Sequence, residues 1–205
     1  LWLKFTVTGR QCHASTPQKG QNSLMGAAEL ILALAELKKK FPLSNPLFSP
    51  PVSTFEPTKI EANVSNVNTI PGRDVFYADC RILPDYSVDE VIAEAREIAK
   101  SVGAGTGFKI EVETAHRHDA ALPTPSDAKV VTALKKAVLK ITGQAAKPMG
   151  IGGGTVAAFF REAGLPAAVW STCPDTAHQP NEYCLISQVI SDAKVFAAIC
   201  QDDEG

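Results

Sequence analysis

The strongest constraint in this sequence is the order in which its hydrophobic period changes between residues 1 and 116. Residues 1–8 (LWLKFTVT) alternate and are rich in aromatic and β-branched side chains, which predicts a strand. Residues 9–20 form a polar loop holding Cys12, His13 and Pro17. Asn22 or Ser23 then caps a helix over 24–41, with Leu30, Ile31, Leu34 and Leu37 on one face and Lys38, Lys39 and Lys40 near its C-terminus. Prolines 42, 46, 50, 51 and 57 make 41–57 a loop or an edge. A strand over 58–67, a turn over 68–73 and a strand over 74–83 follow, and alternation puts Val75, Tyr77, Asp79 and Arg81 on one face. Ser87 and Glu90 have the spacing of a capping box for a helix over 88–102, and 108–116 alternates as a strand. The order is β-α-β-β-α-β, the ferredoxin-like arrangement.

Pro123 and Pro125 mark a boundary within 119–126. Beyond it the pattern predicts a helix over 127–142, a short strand near Met149, a glycine turn, and a helix capped by Thr155. A buried strand over 165–170 (LPAAVW), a polar loop over 171–183 and a helix over 185–200 complete the chain. Two strands are too few for a sheet of their own, so this part reads as the tail of an α/β domain whose first half is absent. The chain begins at Leu1, already inside a strand, and the expectation is a fragment with units at 1–117 and 118–205. The fold class is α/β (α+β).

Composition narrows the function. At 45% hydrophobic, 20% charged and net charge −2, the chain has neither the basic footprint of a nucleic-acid binder nor an apolar run long enough to cross a bilayer. Five cysteines, an odd number without regular spacing, point to reduced thiols and a cytoplasmic setting.

Several residue types suit chemistry, each beside a plainer reading. His178, in a polar loop after an apolar run, is either a metal ligand or a surface histidine, and Glu182 either orients it or is helix N-terminal charge. Cys173 and Cys184 flank His178 at a spacing that fits no zinc module. His13 alone reads as a surface loop residue. His116 and His118 share a face at a strand end, where they either chelate a metal or belong to an exposed polar alternation, the plainer account. Arg81 and Asp79 form either a surface ion pair or a bidentate grip on a substrate carboxylate. Gly152, Gly153, Gly154 and Thr155 form either a turn or an anion-binding helix entry, and without a lysine they are no phosphate loop. Asn68 is a turn residue on its own.

Together, four ordered segments resemble the zinc-dependent aminoacylase and carboxypeptidase family, which includes succinyl-diaminopimelate desuccinylase, acetylornithine deacetylase and bacterial glutamate carboxypeptidase. They are TGRQCHASTPQKGQNS (8–23), NTIPG with DCR (68–72 and 79–81), GGGT (152–155) and AHQPNEYCLI (177–186). The resemblance implies a ferredoxin-like lid that dimerises, followed by the C-terminal part of an α/β zinc-peptidase catalytic domain. It implies His178 as a metal ligand, with Glu182 behind it, and His13 as the oxyanion-stabilising lid histidine that serves the partner subunit's site. Asn68 and Arg81 would hold the substrate's carbonyl or carboxylate, and Gly153, Gly154 and Thr155 would form a carboxylate-binding turn.

The implied cofactor is a pair of zinc ions, with cobalt or manganese as substitutes. The implied reaction is hydrolysis of the amide bond in N-acyl amino acids or small peptides with a free carboxylate, by a homodimer. The fragment alone is expected to be inactive, because the family's other ligands and its catalytic Glu lie in the absent half. Val156, Ala157 and Ala158 stand where members often carry an acidic residue after GGT, which bears on substrate identity. The rival expectation is a non-enzymatic ferredoxin-like dimerisation or regulatory module, which leaves the AHQPNEY loop and the glycine turn without a task.

Overall fold

In β1 (Trp2–Thr8) the side chains Leu3, Phe5 and Val7 share one face and are fully buried, and Thr6 between them is buried as well. Burying each apolar one contributes roughly 1.5–3 kcal/mol. A computed structural model describes residues 1–201, which separate into two compact units, 1–120 and 121–201. β1 is the inner strand around which the first unit is assembled.

After β1 come β2 (Cys12–His13), α1 (Ser23–Ala33), α2 (Glu36–Lys40), a two-residue extended piece β3 (Phe48–Ser49), β4 (Thr54–Ile60), β5 (Thr69–Ile70), β6 (Arg73–Arg81), α3 (Val88–Thr106) and β7 (Lys109–His116). The main sheet has the order β4-β6-β1-β7 and is antiparallel throughout, which is the ferredoxin-like arrangement. On β6, Phe76, Ala78 and Cys80 face the core and Arg81 is exposed. Phe5 stacks on Phe76 with ring centroids 4.8 Å apart. From the helices, Ala27, Leu30, Val91, Ala95 and Ala99 complete the same core.

Local chemistry sets the element ends. Asn22 accepts a hydrogen bond from the Leu24 N–H and starts α1. The Ser87 hydroxyl accepts from the Asp89 N–H while the Glu90 carboxylate accepts from the Ser87 N–H, so the capping box at α3 is formed at both ends. Gly107 closes α3 in the left-handed conformation at φ 77°. Gly26 lets α1 approach Phe108, since a Cβ there would lie 2.6 Å from the ring.

Four expectations are corrected. The helix over 24–41 is two helices, because tight bonds from the Ala35 N–H to the Leu32 carbonyl and from the Leu37 N–H to the Leu34 carbonyl break it while keeping Leu34 and Leu37 buried. The strand over 58–67 begins at Thr54 and includes Pro57. It is an edge strand, which tolerates the missing N–H, and its register shifts between Pro57 and Lys59. The loop over 9–20 and the turn over 68–73 each contain a two-residue strand, because β2 and β5 pair with one another.

In the second unit, α4 (Lys129–Thr142) and α6 (Ile186–Cys200) pack through Ala137, Val138 and Val195. Between them lie β8 (Gly150–Ile151) and the short α5 (Ala157–Glu162). Residues 165–170 form no strand, and Leu165 and Val169 are each 55% exposed. Side chains hold the segment instead. The Thr124 hydroxyl bonds both the carbonyl and the N–H of Ala167, and the Asp192 carboxylate accepts from the Trp170 indole and from the N–H and hydroxyl of Thr172. Thr155 does not cap α5 with its side chain. The cap position falls one residue later, at Val156, and Thr155 contributes only its carbonyl, to the Ala158 N–H.

Ser87→Ala removes one limb of the capping box and should lower the unfolding free energy by about 1 kcal/mol in urea titration, with the slope of the transition unchanged.

Candidate functional site

His13 and Asn68 are 55 positions apart in the sequence and adjacent in the fold. Cys12 pairs with Ile70 and His13 with Thr69, and the Ala14 N–H donates to the Asn68 carbonyl at 2.8 Å. The ribbon is anchored to the main sheet where the Gly9 N–H donates to the Gly72 carbonyl at 2.9 Å. It therefore projects from the end of the sheet formed by Thr8 of β1 and Arg73 of β6, which pair with one another.

The imidazole of His13 is exposed, and one edge of it is fixed. The Ser15 N–H donates to Nδ1 at 3.1 Å, and the Ser15 hydroxyl lies 2.7 Å from the same nitrogen. A backbone N–H can only donate, so Nδ1 is the acceptor nitrogen and in the neutral ring the proton sits on Nε2. The ribbon thus presents an outward N–H donor beside the exposed Asn68. Ser15 is a residue that sequence reasoning missed, and the signal was the CHAS spacing, which sets a short hydroxyl two residues after the histidine.

Arg81 lies elsewhere. It ends β6, pairs across the sheet with Thr54, and is held by Asp79 through Nε and through Nη2, the latter at 2.7 Å. Asp79 also accepts from the Trp2 indole at 3.0 Å. At about 3.3 Å per residue, β6 puts Arg81 roughly 25 Å from the Arg73 end where the ribbon begins. The structure therefore brings His13 and Asn68 together and leaves Arg81 apart from them within one chain.

In the second unit, His178 and Asn181 both take left-handed backbone conformations, at φ 62° and 61°. Such conformations are uncommon outside glycine and mark turns or functional loops. The Glu182 carboxylate accepts from the His178 N–H at 3.1 Å, so it fixes the backbone of His178 rather than its ring. Among the described residues no group of three or more His, Cys, Asp or Glu side chains is placed to hold a metal ion. A lone imidazole does not make a zinc centre, which needs at least three protein ligands, so the residues described here do not by themselves fit the metal that the sequence implies.

Gly153 and Gly154 adopt no left-handed φ, and a Cβ on either would meet nothing within 4 Å. Nothing in the chain itself demands glycine at these two positions. In the same unit, Val156, Phe159, Phe160, Leu165, Ile186 and Val189 are each more than half exposed. No helix is long and apolar enough to cross a membrane among the described residues.

Residues 1–106 match the sequence profile of the peptidase dimerisation domain of the M20 family. The chain belongs to the M20 peptidase family. Among M20 relatives, an uncharacterised metallohydrolase of Methanocaldococcus jannaschii is 39% identical over 97% of this chain and 51% of its own length. An acetylornithine deacetylase of Aliivibrio salmonicida is 30% identical over 88% of this chain and 47% of its own. The chain spans about half the length of the curated relatives it matches. A hydantoinase/carbamoylase family amidase from Burkholderia ambifaria has the same fold, with a TM-score of 0.70 at 23% identity over 97% of this chain and 45% of that one. A tripeptidase from Staphylococcus aureus does so with a TM-score of 0.69 at 19% identity, over 97% of this chain and 50% of that one.

The Ser15 contacts set the tautomer of His13. Nitrogen-15 NMR should find the neutral ring protonated on Nε2, and a signal from the Nδ1–H tautomer would contradict the geometry.

Proposed function

We propose that this chain forms the lid, at 1–117, and the C-terminal part of the catalytic domain, at 118–205, of a metal-dependent amidohydrolase. The substrates are N-acyl amino acids or small peptides with a free carboxylate, cleaved at the amide bond by a cytoplasmic homodimer. The observation that carries this reading is the ribbon that sets an outward Nε2–H of His13 beside Asn68. Two neutral donors on a projecting ribbon suit an oxygen that gains negative charge as a carbonyl is attacked, since donors already in place need no reorganisation during the reaction. The acetylornithine deacetylase relative supports the same substrate class.

The separation within the lid shapes the mechanism. A small substrate spans far less than the roughly 25 Å between the ribbon and Arg81. On one chain it meets one end of the lid or the other. In a two-fold dimer, two copies can offer opposite ends to one site. In this reading His13 and Asn68 hold the reacting carbonyl from the partner's lid. Arg81, its guanidinium aimed by Asp79, holds the substrate carboxylate as a rigid fork. The turn at Gly153, Gly154 and Thr155 approaches the substrate backbone, which gives those glycines a use that packing does not. The lid carries two edge strands, β4 and β7, and sheet edges invite pairing with a second copy.

Zinc enters this reading through His178 alone, with Glu182 fixing its loop. The further ligands are assigned to parts of the protein outside these 205 residues. The exposed apolar residues around α5 and the start of α6 are assigned as the surface that the same parts cover. The 205-residue chain by itself should then hydrolyse no N-acyl amino acid.

Two experiments test the reading. In sedimentation at micromolar concentration the chain should run as a dimer, and a sharp monomer mass would overturn the assembly. In the complete enzyme, His13→Ala and His178→Ala homodimers should each be nearly inactive, yet mixing them should restore activity. Random pairing makes half the dimers mixed, each with one intact site of two, so roughly a quarter of wild-type activity returns. If subunits exchange and activity stays absent, His13 does not serve its partner's site.

A further inference from the structure

The least exposed acidic side chain in the lid is Asp74, at 1%. It is the second residue of β6 and faces the same side as Phe76, Ala78 and Cys80. Its two oxygens are used by two other segments. Oδ2 accepts from the hydroxyl of Ser23, the fully buried first residue of α1, at 2.6 Å. Oδ1 accepts from the side-chain amide of Asn63, in the loop between β4 and β5, at 2.7 Å. As packing alone this is a poor arrangement, because burying a carboxylate is costly and an apolar side chain of similar size would serve the core better. What the carboxylate does that an apolar group does not is grip two donors from two separate elements.

The grip leads to the ribbon. Ser23 donates its backbone N–H to the Pro71 carbonyl at 3.1 Å, just beyond β5. Asn63 accepts from the Val64 N–H through its own Oδ1, at 2.6 Å, which folds the loop on itself. Five residues after Asn63 comes Asn68, whose carbonyl takes the Ala14 N–H and so sets the position of His13. The loop over 61–68 is thus fastened at Asn63 and at Asn68. The β2–β5 ribbon has only two residues on each strand and cannot hold a position without such support.

We propose that Asp74 and Asn63 form a latch that positions the His13–Asn68 ribbon for the reaction. Both are positioning residues, because they act through Asn68 and His13 and do not touch the substrate. The catalytic part of this inference rests on the reaction proposed above, and the structural part does not.

Asn63 is exposed, so Asn63→Ala cuts the tether without emptying the core, and it leaves the Asp74 Oδ1 without its donor. In the 205-residue chain, amide exchange of Ala14 and Thr69 should accelerate by about tenfold, as expected when one hydrogen bond to a charged group is lost. Exchange at Phe5 and Phe76 in the main sheet should not change. In the complete enzyme the same variant should lower kcat by roughly ten- to a hundredfold while KM stays within about twofold, the mark of a misplaced reacting group rather than lost binding. Asp74→Ala should reproduce the exchange effect, and Asp74→Asn, which keeps an acceptor for Asn63, should recover most of it.

Unchanged exchange at Ala14 in Asn63→Ala would overturn the latch. Faster exchange with unaltered kcat in an active enzyme would overturn its catalytic role. Faster exchange in a complete protein that never hydrolyses amides would leave the latch standing and remove the proposed reaction.

Discussion

The antiparallel ladder between β1 and β6 is the interaction on which the rest of this structure depends. Seven residue pairs join the two strands, and the Phe5–Phe76 stack lies at their centre. The inward side chains of both strands carry α1 and α3, and the two edge strands flank them on either side. Because the ladder is long and rigid, its two ends are far apart, and each presents a different chemistry. One end leads into the ribbon with its outward hydrogen-bond donors. The other ends in a guanidinium braced by a carboxylate. A single stiff element thereby fixes a distance that no side-chain motion can close, and that distance is the physical reason for assigning the two ends to different active sites.

The second unit is held together differently. Its buried side chains are few, and much of its order comes from polar clasps such as Asp192 on Trp170 and Thr172. Burial pushes the Asp192 carboxyl up, but the bonds from Thr172 and Trp170 outweigh this and hold it below the usual aspartate range. Its grip is therefore complete above the unfolded-state pKa and is lost as the pH falls through the lowered value. Large apolar side chains around α5 and α6 stay in contact with solvent, whereas in the lid such side chains are mostly inside. The two units thus differ in how much of their apolar surface is covered.

Most of the lid was legible in the sequence because its signals are local and agree with one another. The capping box at Ser87 and the alternation along β6 needed no tertiary information. The pairing of β2 with β5 was not legible, since two residues per strand carry no period and the partners lie far apart in the sequence. The edge strand was misplaced because Pro57 reads as a breaker, while at an edge its missing N–H goes unneeded. Residues 165–170 were apolar enough to read as a buried strand, but apolarity gives burial only where another element lies alongside. Asp74 was overlooked although alternation set it on the core face with Phe76 and Cys80, and a charged residue in that register was the available signal. His13, Asn68 and Arg81 were singled out by resemblance, and only the folded strand showed that Arg81 does not meet the other two on one chain.

The brevity of the β2–β5 ribbon has a thermal consequence. A few backbone bonds and the side-chain bond from Asn63 hold the ribbon, whereas the main sheet is secured by an entire core. Regions with little buried contact open at lower free energy than the global fold. On warming, the ribbon should fray while the sheet is still intact, so any function that the proposed role of His13 supports would fade well below the melting point of the scaffold and recover on cooling without unfolding.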